Sequence, residues 1–97
     1  MATFHVAFAR AGDSGIDVMP AKPRATQTIT TSGTSQASTI EATQGDQCEV
    51  TASGGDVFIA FGAAPTAASN SGYLIPNGAT KYYGNLKPGD KVAVIDA

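Results

Sequence analysis

Turn signals recur roughly every 8–12 residues along this chain, and no segment between them carries an apolar stripe of helical period. Short runs with period-two alternation fill the gaps instead. Residues 3–9 place Phe4, Val6 and Phe8 on one side and His5 and Ala7 on the other, the mark of a half-buried strand. Ala11-Gly12-Asp13-Ser14-Gly15 breaks that strand, and Ile16 and Val18 predict a short second one ended by Met19-Pro20. Pro20 and Pro23 favour an extended connection. The run TQTITTSGTSQASTIEAT is dominated by Thr and Ser, with Ile29 and Ile40 isolated in it. Its β-branched threonines fit a pleated surface, and Ser32-Gly33-Thr34-Ser35 is a turn signal. Two polar strands over 26–31 and 36–43 joined as a hairpin are expected there; a low-complexity linker is the competing reading.

The second half is patterned more sharply. Residues 47–52 place Cys48 and Val50 on one side, and Ser53-Gly54-Gly55-Asp56 turns the chain. Val57, Ile59 and Phe61 then face opposite to Phe58 and Ala60, so this strand is apolar on both sides and suits a central position. A loop of small residues over 63–72 leads to Tyr73-Leu74-Ile75 and the turn Pro76-Asn77-Gly78. Residues 80–85 carry Tyr82 and Tyr83. Lys87-Pro88-Gly89-Asp90 has the signature of a type II turn, and 91–96 closes the chain with Val92 and Val94 opposite Ala93 and Ile95. The expectation is an all-β fold: a small antiparallel β-sandwich or barrel, jelly-roll or Ig-like, of about eight short strands.

At 97 residues the chain makes one domain, 1–97, with a modest core. Charged residues are only 14% of it, against about 25% in a typical soluble domain. An exterior built from Thr, Ser, Gly, Ala, Asn and Gln suits burial against a neighbour. The six cations (Arg10, Lys22, Arg24, Lys81, Lys87, Lys91) are scattered, so the phosphate-neutralising patch that nucleic-acid affinity needs is missing. No apolar stretch approaches the ~18 residues that span a bilayer, and MATFHVAFARAG does not read as a signal peptide. A cytoplasm is the expected place of synthesis.

Chemistry-bearing groups are sparse. His5 is the single histidine and has no second ligand or base at matched spacing. Asp13, Asp46, Asp56 and Asp90 each sit beside glycine, where Asp bonds its own backbone and fixes a turn. No calcium-loop spacing, nucleophile elbow or phosphate loop occurs. Catalytic, cofactor-binding and metal-binding residues are therefore all expected to be none, and the chain is not read as an enzyme. Cys48, the lone cysteine, reads as a small buried hydrophobe, with an interchain disulfide or reactive thiol as the alternatives. Tyr73, Tyr82 and Tyr83 read as one core and two rim residues, as a protein interface, or as a sugar-stacking platform.

The features Phe61-Gly62, Pro65-Thr66-Ala67, Leu74-Ile75-Pro76-Asn77-Gly78 and Gly89-Asp90-Lys91-Val92-Ala93-Val94-Ile95 resemble those of small virion proteins of tailed bacteriophages, the head-decoration or cement type. The likeness covers a little over half of the chain. It implies an all-β module added in symmetric copies to the head, neck or tail of a particle, with no catalytic residues to carry over. The expected function is a capsid decoration protein that stabilises the head shell as a homo-oligomer, a trimer sooner than a dimer, located in the virion. Its expected partner is the major capsid protein or another virion protein, with no nucleic acid and no membrane. A neck, tail or fibre component and a receptor- or carbohydrate-binding β-module are the alternatives. Residues 1–10 are expected to form a strand-donating arm whose loss would abolish attachment but leave a folded domain. The expected interface is then Phe4, Val6, Phe8, Tyr73, Tyr82 and Tyr83.

Overall fold

The computed structural model describes residues 2–10 and 23–97, so the strand expected around Ile16 and Val18, and the turn at Asp13, lie outside the described residues. Eight strands follow in order: β1 (Thr3–Arg10), β2 (Ala25–Thr30), β3 (Gln36–Ala37), β4 (Asp46–Ser53), β5 (Val57–Gly62), β6 (Tyr73–Ile75), β7 (Thr80–Tyr83) and β8 (Lys91–Asp96). They form two four-stranded antiparallel sheets, β2-β1-β4-β7 and β3-β8-β5-β6. Their inner faces share one core, so the fold is a small β-sandwich.

Period two decides which side chains enter that core. Phe4, Val6 and Phe8 of β1 meet Cys48, Val50 and Ala52 of β4 on the same face, in a register that pairs Val6 with Val50. Val57 and Ile59 of β5, Ile75 of β6, and Val92 and Val94 of β8 close the core from the other sheet. β5 lies between β8 and β6, the interior position that its two apolar sides predict.

Two expectations are corrected here. The segment 1–10 is no arm: β1 lies between β2 and β4, and Phe4, Val6 and Phe8 are 0% exposed. Those three side chains belong to the core and are unavailable as an interface. A β-strand whose alternate side chains are two phenylalanines and a valine gains more from burial than from serving as a free end. The second correction concerns the hairpin expected over 26–43. β2 pairs with β1, whereas β3 pairs with β8 in the opposite sheet, so Ser32–Ser35 carries the chain from one sheet to the other. A side chain replaces the missing ladder, because Gln27 Oε1 accepts from the Thr39 N–H and hydroxyl and from the Ile40 N–H. Beyond Ala37 the strand expected to 43 gives way to irregular backbone held to β8 by Ser38 N–H to the Val92 carbonyl.

The turns behave as their residues dictate. Asp90 N–H bonds the Lys87 carbonyl at 3.0 Å with Gly89 at φ 90°, and Asp90 Oδ2 accepts from the Lys87 N–H. Ahead of β7, Gly78 at φ 82° donates to the Ala52 carbonyl, while Ala52 N–H reaches the Ala79 carbonyl. Two residues thus oppose one, a glycine-led bulge that sets the register of β7 on β4.

A candidate interaction edge

Three large apolar side chains stand exposed among the described residues: Tyr73 (58%), Leu74 (46%) and Tyr82 (61%). All three lie on β6 and β7, the edge strands of the two sheets. Those edges face each other, because Tyr83 of β7 packs its ring 5.0 Å from that of Tyr73 and 5.1 Å from that of Phe61. The tyrosines singled out in the sequence therefore converge on one edge of the sandwich. Tyr83 is half-buried against the core, and burial, with Tyr73 and Cys48 adjoining, pushes its phenol up. Tyr82 points to the outer face, where the charge of Glu49 and a hydrogen bond to it raise the Tyr82 phenol too.

Period two misses nothing on β7 but understates the outer face of the other sheet. Leu74, Phe58 and Ile95 are cross-strand neighbours there, in one row over β6, β5 and β8. Phe58 and Ile95 are only half-buried. The available signal was the apolar second side of β5, which reads as centrality but equally marks a face awaiting cover.

The remaining polar groups are committed to structure. Asp46 is buried, and its Oδ2 accepts from Arg24 Nε (2.9 Å) and Nη2 (2.6 Å) and from the Thr43 N–H (2.9 Å) and hydroxyl (3.1 Å). Burial pushes this carboxyl up, but the bonds from Arg24 and Thr43 outweigh it and hold it below the usual carboxylate range. A cleft of about 440 Å³ beside it is lined by Gln44, Gly45, Gln47, Asn85 and Leu86 as well as Asp46, with no base or nucleophile. His5 meets only the Thr28 hydroxyl, at 3.2 Å on the outer face. Among the described residues no group of three or more His, Cys, Asp and Glu could hold a metal ion.

Cys48 is 0% exposed, and burial, with Glu49 and Asp46 near, pushes its thiol up to about 12. Thiolate is the reactive form, so the folded protein should resist a thiol reagent at pH 8 and label at once in denaturant. Ellman titration with and without guanidinium checks this; fast labelling of the native chain would contradict the packing.

Nothing is assembled here for group transfer, whereas the β6–β7 edge offers aromatic rings, a leucine and the exposed Lys81. No family model matches the chain, and neither the curated proteins nor the solved structures contain a match.

Proposed function

We propose that this chain is a non-enzymatic structural protein of a tailed-phage virion, a decoration (cement) protein that binds and stabilises the head shell as a homo-oligomer. The carrying observation is the gathering of exposed Tyr73, Leu74 and Tyr82 at one edge of the sandwich. The row Leu74, Phe58 and Ile95 continues that apolar surface onto an outer face. A surface of this kind is stable in water when a neighbour covers it. Charged residues at 14% fit the same use, and the residues that resemble the decoration family include the whole β6 turn.

Adding the purified protein to shells that lack it should raise the temperature at which they rupture. Leu74→Glu, a change at an exposed position, should abolish that gain without unfolding the domain. Shells that rupture at the same temperature with and without the protein would sink the cement reading. A second reading, a carbohydrate-binding module, is favoured by the exposure of Tyr82 beside Glu49, since a ring flanked by a carboxylate can stack on and bond a sugar. A glycan array on which reproducible signals vanish in Tyr82→Ala would favour it.

A further inference from the structure

We propose that β7 is an acceptor edge, which takes an extended, acidic segment of a partner protein as a further strand of the β2-β1-β4-β7 sheet. The bonding pattern identifies the groups that would receive it. Ala52 N–H bonds the Ala79 carbonyl, and the register then runs Thr51 to Thr80, Val50 to Lys81, Glu49 to Tyr82 and Cys48 to Tyr83. Bonded and non-bonded pairs alternate in an antiparallel ladder. Lys81 and Tyr83 therefore bond β4, while the N–H and C=O groups of Thr80 and Tyr82 point away from it, to the sheet's rim.

The side chains leave that rim uncovered. Tyr82 is drawn back over β4 by its bond to Glu49, and Tyr83 turns inward onto Tyr73 and Phe61. Between them Lys81 is exposed on the core-facing side of the strand, where the sandwich opens. A strand bonded to Thr80 and Tyr82 must place one residue opposite Lys81, and complementarity makes that residue Asp or Glu. The same geometry argues against a second copy. A twofold pairing that uses both Thr80 and Tyr82 sets Thr80 against Tyr82 of the other chain, and Lys81 then faces Lys81, a like-charge opposition that destabilises.

Only the naming of the partner as a virion protein rests on the reading above. Strand addition is read on the isolated protein, so failure of either leaves the other standing. The probes are two nine-residue peptides of alternating valine and threonine, one with a central glutamate and one with a central lysine, added to the ¹⁵N-labelled protein. The glutamate peptide should shift the amide signals of Thr80 and Tyr82, slow their hydrogen exchange, and bind at least tenfold tighter than the lysine peptide. Tyr82→Pro should lower that affinity at least tenfold with the rest of the spectrum unchanged, since this N–H does not serve β4. Should Tyr82→Pro unfold, Lys81→Glu should reverse the preference between the peptides. Equal binding of both peptides, shifts confined to other strands, or exchange protection of Thr80 and Tyr82 that grows with protein concentration alone would each overturn the proposal, the last by making a second copy the occupant.

Discussion

A variant that lacks residues 2–9 should be unfolded, with no cooperative thermal transition by circular dichroism. The segment supplies the strand between β2 and β4, so its loss removes two ladders as well as Phe4, Val6 and Phe8 from the centre of the core. Single substitutions should already be severe. Phe8→Ala leaves a cavity where an entirely buried ring stood, and such truncations cost about 3–5 kcal/mol. Set against the ~5–15 kcal/mol by which domains are stable, one ring is a large share of the total. The melting temperature should fall by on the order of 15–25 °C. A truncated chain that melts cooperatively near the wild-type temperature would restore the arm that the sequence suggested.

Asp46→Asn should cost about 2–4 kcal/mol at neutral pH, the second largest single effect expected, because four donors converge on one buried oxygen. The partly exposed Arg24 can rehydrate and so moderates the loss. The pH dependence has a definite sign. A carboxyl held below its ordinary range in the folded state binds its proton more readily when unfolded, so unfolding takes up a proton as the medium is acidified. The stabilisation is complete near neutrality and fades as pH falls below about 4, through the folded value. Melts of wild type and Asp46→Asn should therefore converge between pH 5 and pH 3. A gap that stays constant to pH 3 would show that shape, and not charge, gives Asp46 its value.

The strands of the second half were legible because each has a local rule. Val57 and Ile59 alternate with Phe58 and Ala60, and Pro88-Gly89 fixes a turn whichever strands it joins. Pairing was not legible, since it is set by the distant partner and not by local period. The residues of 25–30 satisfy a strand equally well beside β1 or beside 36–43, and the balance is struck by Ile29, which reaches the shared core next to Phe4. Alternation in residues 3–9 correctly placed Phe4, Val6 and Phe8 on one face, but a face does not reveal what covers it. The tyrosines were legible as a set; their meeting at one edge, with Lys81 between them, depends on which strands end up at the rims. The buried pair Arg24–Asp46 left no signal beyond a glycine–aspartate turn, because the 22 residues between its members carry no periodic link.

The most direct test of the proposed role is the copy number of this protein in purified phage particles, measured by quantitative mass spectrometry against the major capsid protein. Closed symmetry allows only a few answers. A decoration protein should be present at about one copy per shell subunit or at a simple fraction of that. Copies on the order of a dozen or fewer would contradict shell decoration and move the protein to the neck or tail; absence from the particle would contradict the virion reading altogether.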